Sequence, residues 1–321
     1  MRPPQPPAWV ESQHTHGSAR CTAYTDAARR QWRVGHYDSP HPPDGVALLR
    51  KVVRYAEQNT PGPNGNGHPQ TAPRIVGPME ASTWRPYRFV VDWNTAQEER
   101  ERPAFLFEPT HPRRYVEEWR EAGFTPVATY LSSWCPDTAV RDPRMQRVNQ
   151  RLHRTGVCTR PMALDRFEAE LSAVHALSLE AFAQNPFYTP ISRQAFIDLY
   201  TPVRHQIAPE LVLLAEHQDG LAGYVFATPD AAQAARGEAI DTLIVKTVAV
   251  RPGRAYAGLG QWLVEQVQLA GHAMGLRHAV HALMHESNAS TRLSEHYAKP
   301  FRRYALFGRP LGAEDNAGAG R

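Results

Sequence analysis

The amino-acid sequence predicts an α/β protein of the α+β type, in which two mixed-sheet domains follow one another in tandem. Three observations support this prediction. The chain has 321 residues, more than one hydrophobic core usually organises. Segments with strand and helix patterns alternate along it, and such alternation places helices against a sheet. The last five elements of the first half recur in the same order in the second half, which indicates internal duplication.

The amino-acid composition and net charge indicate what kind of protein this is and which partners suit it. Apolar residues make up 42% of the chain and charged residues 21%, as in globular proteins rather than disordered or fibrous ones. The formal net charge of +4 favours an anionic partner, either a phosphorylated cofactor or nucleic acid. No lysine-rich block or repeated aromatic platform accompanies this charge, so a solvated arginine-rich surface is favoured over a nucleic-acid interface.

The sequence contains no signal for a membrane or a metal. No apolar run approaches the length of a membrane span, and the proline-rich start lacks the apolar centre of a signal peptide. We therefore expect a cytoplasmic protein. The three cysteines, Cys21, Cys135 and Cys158, lack the spacing of a disulfide framework or a zinc site, so we expect reduced thiols and no metal.

The first half begins with proline-rich residues 1–20, which predict a flexible leader. A degenerate domain is then expected at residues 21–150. Its predicted elements are a strand at 31–37, a helix at 46–58, strands at 74–78 and 103–108, a helix at 112–122 and a strand at 125–132. Residues 58–73 are rich in Gly, Pro and Asn and predict an exposed loop.

The second half, residues 156–312, is expected to form the other domain, followed by a disordered tail at 313–321. Its first predicted elements are helices at 164–183 and 193–200 and strands at 210–217 and 220–227. Asp219-Gly220 separates these two strands and predicts a hairpin. The remaining elements are a strand at 242–250, a helix at 259–274, a strand at 278–284, a helix at 290–298 and a strand at 302–307.

The strongest chemical signal is a strand that runs through a glycine turn into a helix. The apolar run 242–250 leads through Arg-Pro-Gly-Arg-Ala-Tyr-Ala-Gly-Leu-Gly into an amphipathic helix. Unpaired N–H groups at a helix start bind anions such as a pyrophosphate, and the helix dipole strengthens this binding. Gly258 and Gly260 would admit the anion without a Cβ, and Arg251 and Arg254 would add charge. A simple helix-entry turn has the same pattern, so both interpretations stay open at this point.

The second half resembles the GNAT (GCN5-related N-acetyltransferase) superfamily. The resemblance rests on the element order from about residue 158, the Val-x-Val-x-Pro strand end at 248–252, the turn that closes in Gly-Leu-Gly, an asparagine after the next strand, and Tyr297 before Phe301 and the last strand. It implies that the turn binds the pyrophosphate of acetyl-CoA or another acyl-CoA, while splayed strands hold the pantetheine arm. The residues implied to bind the cofactor are Val248, Ala249, Val250, Arg254, Ala255, Tyr256, Ala257, Gly258, Leu259, Gly260 and Asn288.

Two departures from the family pattern affect the two halves differently. In the second half, Ala255 stands where an arginine is usual and Tyr256 where the first glycine is usual, so the turn is expected to be intact but differently shaped. The first half ends in a similar helix-to-strand join, Trp119 to Phe124, but has only SPHPPDG at 39–45 where a phosphate-binding turn belongs. We therefore expect that its cofactor site is lost.

Acyl transfer from a thioester to an amine requires a neutral amine, a polarised carbonyl and a proton for the departing thiolate. The resemblance implies Tyr297 as the acid, with packing on the sheet as its alternative role. Glu286 is the candidate base, with a solvated loop position as its alternative. Trp84 and Tyr87 lie in an aromatic, arginine-rich loop and are candidate substrate-binding residues or structural plugs between the halves.

These features predict an N-acyltransferase, most simply an N-acetyltransferase, that acts on the amine of a small metabolite or amino-acid-like acceptor. Two alternatives stay open. An aminoacyl-tRNA-dependent aminoacyltransferase also uses two GNAT-like halves and would suit the basic charge. A non-catalytic, ligand-binding GNAT-like protein would suit the irregular turn at Ala255 and Tyr256.

Overall fold

The computed structural model describes residues 7–61, 74–92, 102–287 and 294–312. Asn288, the expected tail and residues 290–293 of the helix expected at 290–298 lie outside these residues, and of the remainder only Ser294 is helical. The described chain forms two compact units that interleave in sequence. The smaller unit contains residues 7–61, 74–92, 109–129 and 304–312, and the larger unit contains residues 102–108, 130–287 and 294–303. The expected domains, in contrast, are two contiguous stretches.

The smaller unit begins with three antiparallel strands, β1 (Val10–His16), β2 (Ala19–Thr25) and β3 (Gln31–Asp38). Helix α1 (Pro42–Asn59) follows, and β4 (Arg74–Gly77) returns parallel to β3. The remaining elements are β5 (Phe89–Val90), helix α2 (Arg114–Glu121), the start of β6 (Thr125–Cys135) and the end of β12 (Lys299–Pro310). The strand order is β1-β2-β3-β4-β12-β6, and β5 also pairs with β12.

The core of the smaller unit lies between its strands and its two helices. Helix α1 starts at two prolines, which a first helical turn tolerates because its N–H groups need no intrahelical acceptor. It buries one face, which includes Leu48, Leu49 and Val52. Trp119 of α2 is completely buried and packs edge-on against Phe89, with ring centroids 5.5 Å apart. Aromatic side chains thus form the contact between α2 and the sheet.

The larger unit contains the rest of β6 and β12 and most of the helices. Its elements in chain order are α3 (Arg144–Arg154), β7 (Cys158–Pro161), α4 (Phe167–Ala181), α5 (Arg193–Tyr200), β8 (Val212–His217), β9 (Gly220–Pro229), α6 (Ala231–Ala235), β10 (Thr242–Val250), α7 (Leu259–Ala273) and β11 (His278–His285). The strand order is β12-β6-β11-β10-β9-β8-β7. Strands β10 and β11 pair in parallel, and the pairs β11–β6, β10–β9, β9–β8 and β8–β7 are antiparallel. Helix α7 packs on one face of these strands through Leu259, Leu263 and Val267.

The two units share one plan. In each of them antiparallel strands lead to a helix, and the next strand lies parallel to the strand before that helix. The elements β2, β3, α1 and β4 of the smaller unit correspond to β9, β10, α7 and β11 of the larger unit. This correspondence supports the internal duplication inferred from the sequence.

The structure differs from the expectations in two segments. Part of the expected leader forms β1, whose polar residues lack an apolar period because most of them are exposed and the strand is held by pairing with β2. The expected strand at 103–108 is irregular instead. Its Phe105 packs on the face of the sheet against Ile244 and Val280, and the N–H of Leu106 donates to the carboxylate of Asp230 at 2.8 Å rather than to a strand.

Candidate functional site

Strands β10 and β11 part after four residue pairs. They pair from Thr242–His278 to Val245–His281. Beyond that point β10 stays paired with β9 as far as Val250, and β11 stays paired with β6 as far as His285. The facing edges of β10 and β11 therefore border a gap that no strand of the described residues fills. Backbone N–H and C=O groups along such edges are available to a ligand that carries amides.

A β-bulge lies where the two strands part. Lys246 is the extra residue of β10, because Val245 and Thr247 pair with the consecutive residues Ala227 and Phe226 of β9. A bulge bends its strand and turns one residue out of the ladder. The bulge therefore accounts for the departure of β10 from β11 at this residue.

The turn from β10 to α7 contains two glycines with positive φ. Gly253 has a φ of 144° and Gly258 a φ of 80°, and glycine adopts these conformations without the strain of a side chain. A short 3-10 helix, Arg254–Tyr256, lies between them. The first N–H groups of α7 have no intrahelical acceptor, which makes its start a favourable place for an anion.

Helix α3 packs directly on this turn. A Cβ added to Gly258 would lie 3.0 Å from Cγ1 and 3.2 Å from Cγ2 of Val148 in α3. The guanidinium of Arg151, also in α3, donates to the carbonyl of Ala257. The space beside Gly258 is therefore occupied by protein, whereas the sequence suggested that a ligand needs it. Gly260 is buried within α7.

The two arginines of the turn differ in their contacts. The Nε of Arg251 lies 3.6 Å from a carboxylate oxygen of Glu180, and its Nη2 donates to the carbonyl of Asp219 at 3.4 Å. Arg254 is exposed, and its guanidinium has no partner within the part of the chain that the structure describes. Of the two, Arg254 is the residue whose charge is available to an anion.

The equivalent gap of the smaller unit is closed. Strands β3 and β4 pair from Gln31–Arg74 only to Arg33–Val76, although β3 continues to Asp38. Here the N–H of Met79 donates to the carbonyl of Val34 at 2.7 Å. A Cβ on Gly35 would lie 2.8 Å from the carbonyl oxygen of Met79. The chain that follows β4 therefore fills the place that is open between β10 and β11.

The start of α1 is filled as well. A Cβ on Gly45 in the first turn of α1 would lie 2.2 Å from the hydroxyl of Tyr37 and 2.4 Å from Oε2 of Glu118. The hydroxyl of Tyr37 donates to Glu118, and Nε of Arg114 lies 3.3 Å from the other carboxylate oxygen. Glu118 is buried, so a carboxylate of the protein itself supplies negative charge near this helix start.

No protein-family model matches the sequence, and no curated protein matches it. Solved structures do match in fold. A GCN5-related N-acetyltransferase from Sphaerobacter thermophilus has a TM-score of 0.50 at 16% identity, covering 91% of this chain and 80% of that chain. The GCN5-related glucosamine N-acetyltransferase region of a fungal multi-domain β-N-acetylglucosaminidase has a TM-score of 0.52 at 12% identity, covering 91% of this chain and 31% of that chain.

The chain has the GNAT fold. A tandem GNAT protein from the clavulanic acid biosynthesis pathway is also similar, with a TM-score of 0.48 at 13% identity over 97% of this chain and 86% of that chain. The repeated plan of the two units supports a tandem GNAT arrangement in this chain. The mixed α/β fold of GNAT type predicted from the sequence is confirmed.

Within the GNAT fold of the larger unit, Tyr297 is buried and bound to a carboxylate. Its hydroxyl donates to Oε2 of Glu265 on α7 at 2.9 Å, and the N–H of Asp142 donates to the same oxygen at 2.7 Å. Burial and then the bond to Glu265 raise the pKa of Tyr297 above its usual range. Asp142 is itself bound by Arg144, which holds the pKa of that carboxyl low. Tyr297 is thus protonated at neutral pH, and its proton is directed to Glu265.

Glu286 lies just beyond β11 and is paired with a cation. Its Oε1 is 2.8 Å from Nη1 of Arg303 at the start of β12. The carboxylate thus lies one residue beyond the end of β11, and its predicted role as base stays a prediction. Asn288, which follows two residues later, lies outside the described residues, so its predicted role stays a prediction.

A buried histidine lies at the last pair before the gap. His281 is completely enclosed, with Nε2 2.6 Å from Oε1 of Gln268 on α7 and Nδ1 2.8 Å from the hydroxyl of Ser294. Desolvation lowers the pKa of His281 to about 4. The ring is therefore neutral at neutral pH, and both of its nitrogens are engaged by side chains. The signal in the sequence was a histidine within an apolar strand.

Trp84 and Tyr87 belong to the smaller unit, in the loop between β4 and β5. Met79 and Tyr87 form an isolated antiparallel bridge, and the guanidinium of Arg88 lies 3.7 Å from the centroid of the Tyr87 ring. Both aromatic residues are half-buried. Their predicted role in binding substrate stays a prediction.

Two general properties of the described residues bear on partners. None of their helices is both long and apolar enough to cross a membrane. They contain no group of three or more His, Cys, Asp or Glu side chains that could hold a metal ion. Cys21 and Cys135 are buried, Cys158 is exposed, and all three are free thiols.

Proposed function

We propose that the protein is an N-acyltransferase, most simply an N-acetyltransferase, that binds an acyl-CoA in its larger unit and acylates the amine of a small metabolite or amino-acid-like acceptor. The observation that carries the proposal is the gap between β10 and β11, which adjoins the turn at the start of α7. The pantetheine arm of CoA is an extended chain with amide groups, and a pyrophosphate follows it. The gap suits the former and the helix start suits the latter.

The residues proposed to hold acyl-CoA act largely through their backbone. Val248, Ala249 and Val250 form the edge of β10 along the gap. The turn residues Arg254 to Gly260 shape the start of α7, where unpaired N–H groups would face the pyrophosphate. Arg254 would contribute an exposed positive charge, and Gly258 would contribute by allowing the turn to pack on α3.

Acyl-CoA supplies an activated thioester, and the chain supplies the groups around it. Attack by a neutral amine forms a C–N bond, and departure of the thiolate breaks the C–S bond. Backbone N–H groups beyond the bulge of β10 would polarise the carbonyl. Glu286 is proposed to accept the proton of the amine, and Tyr297 to donate a proton to the thiolate. Each first has to release its protein partner, Arg303 or Glu265.

Titration calorimetry with acetyl-CoA tests the binding step. The wild-type protein should bind, and Arg254→Ala should weaken binding about threefold to tenfold, the range for one charge-assisted contact that solvent partly screens. Arg54→Ala is the matched control, because Arg54 is an exposed arginine on α1 of the smaller unit. Absence of heat and of thermal stabilisation with acetyl-CoA and longer acyl-CoAs would overturn the proposal.

Turnover is tested separately by the release of free CoA thiol in the presence of a panel of amines. Glu286→Gln should lower kcat and leave the KM for acetyl-CoA nearly unchanged, since the residue is assigned to proton transfer. Arg303→Ala removes the partner of Glu286 and serves as the comparison. An equal kcat in wild type and Glu286→Gln would remove Glu286 from the mechanism and leave the proposed binding intact.

A non-catalytic, ligand-binding role is the second candidate. The observation that favours it is that the hydroxyl of Tyr297 donates to the buried carboxylate of Glu265 rather than pointing to an open site. This candidate predicts tight binding of acetyl-CoA without thiol release for any amine. The two assays above therefore separate the candidates.

A further inference from the structure

Helix α3 carries a stripe of arginines and contains no acidic residue of its own. Its sequence is RMQRVNQRLHR, with arginines at 144, 147, 151 and 154. Spacings of three and four residues place these side chains along one side of the helix. Like charges at such spacings oppose helix formation by about 0.2–0.5 kcal/mol per pair. The stripe is therefore not explained by the stability of α3.

The arginines of the stripe differ in their partners. Arg144 binds the carboxylate of Asp142, and Arg151 binds the carbonyl of Ala257. Arg147 and Arg154 are exposed, and their guanidinium groups have no partner within the residues that the structure describes. Two arginines, one on each side of Arg151, are thus available to a ligand.

The stripe lies beside the proposed pyrophosphate position. Val148 packs on Gly258 and Arg151 contacts Ala257, so α3 touches the turn at the start of α7. Arg147 is about one helical turn before Arg151, and Arg154 is about one turn after it. In CoA a single ribose separates the pyrophosphate from the 3′-phosphate, so a bound CoA would bring a second dianion close to the same turn.

We infer that Arg147 and Arg154 of α3 bind the 3′-phosphate of CoA and make the site selective for CoA over dephospho-CoA. The inference rests on the proposed acyl-CoA site and names the part of α3 that recognises the far end of the ligand. Guanidinium groups suit a phosphate because they donate two parallel hydrogen bonds and stay charged at every physiological pH. The positive charge of α3 and the negative charge of the 3′-phosphate are complementary.

The test compares CoA and dephospho-CoA as calorimetric probes of the full chain. The wild type should bind CoA about tenfold or more tightly than dephospho-CoA, as expected for charge-assisted contacts. The double variant Arg147→Ala/Arg154→Ala should lose this preference by binding CoA more weakly, with its affinity for dephospho-CoA nearly unchanged. The preference of the wild type should also shrink at high salt, because the contacts are exposed.

The controls separate failure of this inference from failure of the proposed function. Arg30→Ala/Arg54→Ala removes two arginines of the smaller unit and should leave the preference intact. Binding of both probes with equal affinity by the wild type would overturn the inference and leave the acyl-CoA site standing. Binding of neither probe would overturn both. Bulk tRNA is a third probe: if the α3 double variant loses affinity for tRNA while its preference for CoA stays, the stripe binds nucleic acid and the inference is wrong.

Discussion

At the scale of single residues, Gly258 combines a backbone requirement with a packing requirement. Its φ of 80° strains any residue with a Cβ. A Cβ at this position would also press on Val148 at 3.0 Å. A substitution here therefore acts on the fold as well as on any ligand, and loss of acyl-CoA binding in such a variant would not by itself locate the phosphate.

Gly237 is a control for substitutions of Gly258. It has a φ of 79°, and no atom lies within 4 Å of the position that its Cβ would occupy. We expect Gly237→Ala to lower the free energy of unfolding by about 1 kcal/mol through backbone strain alone. Gly258→Ala should cost about 1–3 kcal/mol more, because Val148 is crowded. Denaturant unfolding measures both, and Val148→Ala in the Gly258→Ala background should recover part of the difference. Equal losses for the two glycines would contradict the described contact with α3.

The hydrogen bond of Tyr297 to Glu265 predicts that this tyrosine stabilises the fold. Because its hydroxyl donates to the buried Glu265, Tyr297→Phe should lower the free energy of unfolding by about 1.5–3 kcal/mol, the range for a hydrogen bond to a charged group. Tyr256→Phe is the control, since Tyr256 is half-buried and contacts His217 through its ring. Unchanged stability in Tyr297→Phe would show that the bond to Glu265 does not form. A fall in kcat without a change in the KM for acetyl-CoA would support its proposed acid role.

At the scale of elements, His281 joins β11 to α7 and to the segment before β12. It is the last residue of β11 that pairs with β10, and its ring contacts Gln268 of α7 and Ser294. Since burial without a neighbouring carboxylate lowers the pKa of His281 to about 4, the neutral ring is part of the folded state.

This pKa predicts how stability depends on pH. The pKa of His281 is about 4 in the folded state against 6.5 in the unfolded chain. The stabilisation that the neutral ring of His281 gives to the folded state is therefore fully present above pH 6.5. It is lost as the pH falls toward 4, because the unfolded chain takes up the proton first. We expect a loss of about 3 kcal/mol over this window. His281→Gln should be less stable at pH 7 but should lack this part of the pH dependence. Parallel curves of unfolding free energy against pH for the two proteins would contradict the assignment.

The elements also show what the sequence could and could not reveal. The segment from β10 through the turn to α7 was predictable, because an uninterrupted apolar run, glycines and an amphipathic helix follow one another in the sequence. Helix α3 was missed because its buried residues are few, chiefly Met145 and Leu152, among arginines. Its contact with Gly258 depends on tertiary packing, which gives no local signal. The irregular segment 102–108 has the composition of a strand, but a strand needs a neighbour, and Leu106 binds Asp230 instead.

At the scale of the whole molecule, the two units share one plan but differ in the space between their parallel strands. Both keep antiparallel strands, a helix and a parallel strand. Only the larger unit keeps a gap between the parallel strands, since Met79 closes the gap of the smaller unit by bonding to Val34. The proline-rich segment at the start of α1 is the local signal for this difference. Met79 and Glu118, which fill the space in the smaller unit, are distant from that segment in sequence, so their contacts could not be predicted from it.

The difference between the units predicts the stoichiometry of acyl-CoA binding. One acetyl-CoA should bind per chain, because the smaller unit would have to break the bond from Met79 to Val34 and displace Glu118 from Gly45 before it could accept a second. Calorimetry gives the number, and hydrogen exchange gives the place. Acetyl-CoA should slow exchange of the amides of β10 from Thr247 to Val250 and leave β3 unaffected, since protection follows the ligand. Two sites per chain, or protection of β3 in place of β10, would contradict the assignment of acyl-CoA to the larger unit.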